Sequence, residues 1–408
     1  MEKAKETVWN PPTTIWNFMF ISIFLANMAM NMGLQMSNSL LSKYADSLGT
    51  PAAQVGLLGS SFAITALLFR FVSGPAMNAW SRKLLLLSAM GLMTIAFLGF
   101  SFAPNISNAT GIPTIAVLIA FRLLQGIGNA FGNSCCMTIV SDVLPKNKFS
   151  AGMGYYGTAQ VVSQAIGPAL GDSMASKVGY HNVYIIFAGI MIVSIILASF
   201  VKTAPHDKVP FNLRWDNMVA KEAITPAMII FWIAIGYTSI QNFLLLYAQE
   251  RGIVGAGYFF TVYAITAIIT RPIIGNITEK LGFTPVGITC AILTAVSLIM
   301  IGYANGIVVL LLAAIINAFG YGALQPMVQS LSLKAVSDER RGSASGTYYI
   351  GMDAGTLIGP TIFGIFAGNM GYASIVWAIM SIPVFLSALF ILVKKSRIRD
   401  IETNFQMK

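Results

Sequence analysis

Charge is what this chain has least of. Asp, Glu, Lys and Arg make up 10% of its 408 residues, whereas a soluble domain carries about 25%. Acids are the scarcer sign, fifteen against 25 bases, and there are only two histidines and three cysteines. Each scarcity excludes something. Cys135, Cys136 and Cys290 lie inside apolar runs, without metal-type spacing and without a partner across a loop, so they read as inert core residues and no metal site is expected. His181 and His206 fall in or near loops on opposite sides of the membrane, so no nucleophile–base set can form around them. No glycine loop is followed by Lys and Ser/Thr, which argues against direct driving by ATP. Neither an enzyme nor a receptor with a soluble domain is expected, and no cofactor is called for.

What is present is apolar sequence, 56% of the chain. Runs fall roughly at 16–40, 53–74, 84–103, 114–140, 150–172, 183–201, 226–248, 255–275, 285–303, 306–332, 343–367 and 372–394, twelve in all, each near the ~20 residues that span a bilayer. The first run is too long for a signal-peptide core and reads as a retained helix. The net charge of +10 is a topology signal, because the bases cluster at every second loop. Only Lys43, Lys177 and Arg251 lie on one side and only Arg70, Arg122 and Arg271 lie within helices; the other nineteen of the 25 share one side. That bias predicts a multi-pass protein of the cytoplasmic membrane with both termini and the 202–225 segment in the cytoplasm. It leaves no exposed basic groove for nucleic acid. The polar segment 202–225, read as a solvated linker, divides the runs six and six. The expected units are therefore an N-terminal bundle (1–201), the linker (202–225), and a C-terminal bundle with a short basic tail (226–408).

The halves repeat. The second run ends Arg70-Phe-Val-Ser-Gly74, with Asn78, Arg82 and Lys83 in the following loop; the eighth ends Arg271-Pro-Ile-Ile-Gly275, with Glu279 and Lys280. Runs five and eleven carry Gly167-Pro168 and Gly359-Pro360, each nineteen residues after a base (Lys148, Arg340). Gly126-Ile-Gly128 in run four matches Gly320-Tyr-Gly322 in run ten. Four landmarks in the same order mean a duplicated helical unit.

These residues resemble the major facilitator superfamily over nearly the whole chain. Its loop between helices two and three is G-x-x-x-D-R-x-G-R-R. Gly74, Arg82 and Lys83 fit, while Asn78 stands for the acid and Ser81 for the second Gly. Arg122-Leu-Leu-Gln125-Gly126-Ile-Gly128 looks like R-x-x-Q-G-x-G, and Ser163 to Gly171 is similar to the Gly-Pro element of the proton-antiport drug-efflux branch, with Ser163 and Asp172 replacing its outer glycines. The resemblance implies an all-α membrane protein of two six-helix bundles, alternating access, and proton-coupled export of a small organic compound by a monomer. It also implies that the Gly167-Pro168/Gly171 element packs against the other half, and that the loop acid latches the outward-facing form against a helix N-terminus. Glu279 keeps that charge; Asn78 does not.

Physical reading supplies the remaining candidates. Asp353 is the one acid well inside a run, and a carboxylate among apolar helices is suited to taking up and releasing protons. It serves coupling or substrate, unless it pairs permanently with one of the arginines. Arg70 and Arg271 are placed about one turn inside their helix ends, near enough to snorkel to headgroups, in a shared structural role. Arg122 is unmatched in run ten and is either a gating or coupling residue or a hydrogen-bond hub. Asn27, Asn31, Gln35 and Asn38 share a helix face that lines the cavity or packs on the Arg122 helix. Gln160, Gln164, Gln241, Asn242, Gln325, Gln329 and Tyr349 are drawn toward the same space, with aromatic surface from Phe231, Trp232, Tyr237 and Tyr263. Such a cavity suits an amphipathic or weakly charged solute. Uptake of a metabolite or organic anion, with an arginine as counter-ion, is the alternative on the same fold.

Overall fold

The computed structural model describes residues 12–50, 52–201, 210–370 and 374–407, and among them all regular structure is helical. Eleven stretches are long and apolar enough to cross a membrane. One of them, Phe149–Ser199, is broken at Gly179, whose φ of 77° lies in the left-handed region that glycine tolerates. The break makes two spans of it and twelve in total. The helices are α1 (Phe18–Ser47), α2 (Ala52–Ala79), α3 (Arg82–Ser101), α4 (Thr114–Val143), α5 (149–178) and α6 (180–199) in the first half. The second half has α7 (Ile224–Glu250), α8 (Tyr258–Leu281), α9 (Phe283–Gly302), α10 (Ile307–Lys334), α11 (Arg341–Met370) and α12 (Ser374–Val393), followed by α13 (Lys395–Met407). Lengths of 20 to 30 residues correspond to about 30–45 Å, enough for the hydrocarbon core.

Local chemistry sets the ends. Asn17 caps α1 by accepting the Phe20 N–H at 2.9 Å, and Ser81 caps α3. The two helices that carry the Gly-Pro pairs, α5 and α11, each enter through one 3₁₀ turn bearing bases, Lys146–Lys148 and Asp338–Arg340. The sequence ended several runs early: α1 continues to Ser47 through a polar last turn with Lys43, Asp46 and Ser47, and α2 continues to Ala79 past Gly74-Pro75, which read as a stop.

Within the first bundle α1 lies on α5, α2 on α4, and α3 on α4 and α6; within the second α7 lies on α11 and α12, and α9 on α12. The bundles meet along two seams, α2 with α11 and α5 with α8, and they meet toward one end. Residues 341–349 of α11 and 321–333 of α10 are buried all round. Farther from that end Leu357, Ile358, Ile166 and Leu170 are exposed. The closed end is the face with the basic loops, called here the basic face.

The chain's polar parts are more ordered than their composition suggests. The tail is a helix, α13, with Ile398, Ile401 and Phe405 buried beneath it. The linker is more than a solvated loop. Residues 202–209, with His206, lie outside the described residues, but the remainder docks across the α2–α11 seam. Phe211 stacks on Trp80 and Trp215 on Phe71, with ring centroids 4.8 and 6.1 Å apart. Asn217 O accepts from Ser343 Oγ at 2.7 Å, and the Ala220 N–H donates to Thr347 Oγ1 at 2.8 Å. Loop aromatics were covering the seam, a role that composition does not reveal.

Candidate functional site

The one deep acid finds its partner across the bundles. Arg70 Nε donates to Asp353 Oδ2 at 2.9 Å, joining α2 to α11. Arg70 is nine residues from the end of α2 and Asp353 twelve from the start of α11, so the pair lies about 14–18 Å from the helix ends at 1.5 Å per residue, near mid-membrane. Arg70 is fixed: its side chain is 1% exposed, Nη1 donates to Ala130 O at 2.6 Å and Ser134 Oγ at 3.1 Å, and Tyr349 lies under the guanidinium at 4.2 Å. Asp353 is 28% exposed. The cation is held by groups from α4 and α11, and the carboxylate is the more accessible member of the pair.

The second seam carries Arg271, and its setting differs. Its Nε donates to Gly322 O at 2.7 Å, Nη1 to Gly157 O across the seam, and Nη2 to Gln325 Oε1 at 2.9 Å. Gln325 in turn reaches Gln160 Oε1 of the other bundle at 3.4 Å. A π-helical turn at Ala318–Gly322 shifts the ladder of α10 so that Gly322 O is available to the guanidinium. Counting from the Gly-Pro pairs, the position matching Asp353 is Val161. The expectation that both arginines sit one turn inside and snorkel is therefore corrected. Arg271 is 2% exposed, ten residues from the end of α8, and both arginines point into the seams because inter-bundle acceptors are closer than headgroups.

Toward the basic face each seam closes on a glycine. A Cβ on Gly74 would stand 3.0 Å from Ser343 Cα, and one on Gly275 would stand 2.8 Å from Ala151 Cα. Glu279 then accepts the backbone N–H groups of Ser150 at 2.8 Å and Ala151 at 3.2 Å, the N-terminal turn of α5. At the matching place Asn78 Nδ2 donates to Ser343 Oγ at 2.7 Å near the start of α11. The charge that Asn78 lacks is supplied beside it. Asp142, at the end of α4, accepts two bonds from Arg82 Nη1 at 3.0 and 2.8 Å, and one from Arg341 Nη1 at 3.1 Å from the other bundle. Arg82 Nη2 also reaches Asp338 O at 2.6 Å, and Arg341 pairs with Asp338 at 2.8 Å. Lys83 donates to Ser199 O within its own bundle, and Lys280 is exposed.

Other candidates are placed elsewhere. Arg122 is buried inside the first bundle, donating to Leu58 O, Gln125 Oε1 and Asn38 Oδ1 with Phe62 beneath it. It faces no carboxylate in these contacts and is organised as a hydrogen-bond hub. Asn31 donates to Asn27, which accepts from Tyr156 of α5, and Asn38 donates to Gln35; the amide face packs on α4 and α5. Gln164 is half-buried on α5. Gln241 and Asn242 are exposed, the latter donating to Thr238 O of its own helix. In this structure the Gly-Pro elements pack as local helix contacts. Cβ atoms on Gly167 and Gly171 would meet Gln35 and Met36 of α1, and one on Gly359 would meet Thr238 and Ile235 of α7, so these glycines, with Pro168 and Pro360, seat helices within their own bundles. Gly154, whose Cβ would stand 2.7 Å from Arg271 O, makes the cross-bundle approach instead.

The sequence reading missed Ser134, Asp142, Asp338 and Arg341. The signal for Asp142 was present: an acid ending an otherwise apolar run, across a loop from paired bases. Its partners come from two other helices, α3 and α11, which spacing along one chain does not join.

The whole chain matches a single family. The model described as Major Facilitator Superfamily covers residues 20–257 and again 227–405, once per bundle with overlap. The multi-drug resistance efflux pump PmrA of Streptococcus pneumoniae serotype 4 is 24% identical over 371 residues, 86% of this chain and 89% of that protein. The multidrug resistance protein MdtG of Escherichia coli O81 is 24% identical over 389 residues, 90% and 92% of the two chains. Among solved structures, a bacterial homologue of the iron transporter ferroportin, in its outward-facing state, superposes with a TM-score of 0.79 at 13% identity, covering 93% of this chain and all (100%) of that one. With two bundles, two mirrored seams and a family match running through both halves, this chain belongs to the Major Facilitator Superfamily of membrane transporters.

Proposed function

We propose that this transporter exports small organic compounds in exchange for protons, and that Asp353 is the group at which the two are coupled. The carrying observation is the Arg70–Asp353 pair, an ion pair between the bundles with one fixed and one accessible member. With the carboxylate charged, the pair ties α2 to α11 and favours the form closed at the basic face. A proton arriving from the open side removes the charge, leaves Arg70 on its backbone acceptors, and frees the seam to part. After opening, loss of the proton to the other side or its displacement by solute restores the tie. A carboxylate beside the Tyr349 ring suits an aromatic or amphipathic solute with a positive charge. The similarity to named multidrug pumps supports the direction. In this reading the basic face is cytoplasmic, the chain is a monomer whose site is complete within one copy, and the proton gradient is the energy source with no cofactor.

The test uses purified full-length protein in liposomes under an imposed pH gradient, with ethidium and other fluorescent organic cations as probes. Solute movement opposite to the proton gradient, collapsing when the gradient is dissipated, is the expected result. Flux of the same probes that ignores the gradient would overturn the reading.

A further inference from the structure

The tail helix α13 is anchored in one bundle and touches the other. Its anchorage is within the second half: Ile398 is wholly buried, and Glu402 Oε1 accepts the Phe283 N–H, the first of α9, at 2.9 Å. Burial pushes the Glu402 carboxyl up, with the Phe283 N–H and Lys334 pulling it back. Two grooves run along its flanks. One, of about 510 Å³, lies against Glu222, Lys334 and Asp400; the other, of about 610 Å³, lies against Lys146, Glu279 and Glu402. α13 thus lies as a bar between two hollows on the basic face.

Near its end the bar crosses the seam. The Phe405 ring meets the Phe149 ring, the first residue of α5, at 5.1 Å. Lys334, the last residue of α10, sits over both rings at 5.5 and 5.9 Å and donates from Nζ to Ser150 Oγ at 2.8 Å. Ser150 is the residue whose N–H Glu279 accepts. Phe405, Phe149, Lys334 and Glu279 therefore converge on the first turn of α5.

We propose that α13 is a strap over the inner closure, with Phe405 and Lys334 as positioning residues that hold the start of α5 against α8. The contacts divide into two classes. Ile398 and Glu402 stay within one bundle and persist through any rigid rocking of the halves. Phe405 on Phe149 and Lys334 on Ser150 join the halves and must break when the basic face opens. The strap therefore acts on the balance between the two conformations while leaving the fold of each bundle intact. It rests only on the alternating-access part of the proposed function, and a labelling readout without solute or proton gradient keeps its failure separate from failure of proton coupling.

The experiment places Cys at Ser345, a wholly buried position on the α2–α11 side, in a background with Cys135, Cys136 and Cys290 replaced. The rate of maleimide labelling then reports opening at a site the strap does not touch. Aromatic pairs of this kind correspond to roughly threefold to tenfold in an equilibrium. Phe405→Ala, Phe149→Ala and removal of residues 395–408 should each raise the labelling rate by about that factor, and Phe405→Ala with Phe149→Ala should do no more than either alone. Circular dichroism and a monodisperse detergent profile verify that each variant is folded; Ile398→Val, which keeps the cross-bundle contacts, should label at the wild-type rate. Wild-type rates in the three seam variants, or effects that add in the double variant, would overturn the strap.

Discussion

Asp353→Asn tests the central tie most directly. The substitution keeps the shape and an acceptor oxygen but removes the charge facing Arg70. Two unit charges about 4 Å apart at an effective dielectric of about 20 attract by about 4 kcal/mol. Two features reduce the net change. Asp353 is 28% exposed and already partly screened, and the Asn oxygen can still accept one hydrogen bond from Nε. About 2 kcal/mol remains, a shift of roughly 30-fold toward the form open at the basic face. Arg70 keeps its bonds to Ala130 O and Ser134 Oγ, so the helix does not lose its place. The same maleimide reporter at Ser345 reads the shift, and proteoliposomes read its consequence. Flux driven by a pH gradient should disappear, while solute exchange without a gradient persists because the loaded carrier still rocks. A variant that retains wild-type dependence on the gradient would refute Asp353 as the coupling group. One that loses exchange as well would place Asp353 in solute binding alone.

The closures at the basic face lead to three further expectations. Glu279→Gln should impair transport more than Asn78→Ala, because Glu279 meets two N–H groups with a full charge; equal losses in a side-by-side flux assay would remove that asymmetry. Asp142→Asn should cost less than the about 3–5 kcal/mol of an uncompensated buried charge in the closed form, since Arg82 at 1% exposure loses its carboxylate partner while Arg341 keeps Asp338; an unchanged labelling rate and melting temperature would argue that Asp338 and water already serve both arginines. Gly275→Val should hold the seam apart, because its Cβ alone would stand 2.8 Å from a backbone atom; cross-linking between cysteines at 151 and 276 should then fall several-fold, and wild-type yield would mean that the helices adjust.

Helix number, duplication and the identity of the deep acid were legible in the sequence, because each is a property of a single run or of two runs compared. Arg70, Arg271 and Glu279 were singled out by the repeat. The resemblance already aimed Glu279 at a helix N-terminus, but which arginine meets Asp353 was not legible, since Asp353 is 283 residues from Arg70 and hydropathy says nothing about which helix faces which. Which surface the Gly-Pro pairs pack on was not legible for the same reason: a glycine signals close approach but not the neighbour. That the tail is a helix was not legible, because α13 has only three buried residues, too few to lift it above its charges.

The position of Val161 opposite Asp353 has a consequence for the working cycle. Duplication supplied two equivalent seams, and only one has a carboxylate at mid-depth. Around Arg271 the acceptors are two peptide carbonyls and an amide, none of which changes charge with pH. If coupling is at Asp353, as proposed, a proton acts on the α2–α11 seam, whereas at mid-depth the α5–α8 seam is held by uncharged acceptors and has its acid, Glu279, only at the basic face. A single coupled proton would then release the α2–α11 edge first, and the α5–α8 edge, with Glu279 and the strap contacts at its basic end, would part after it.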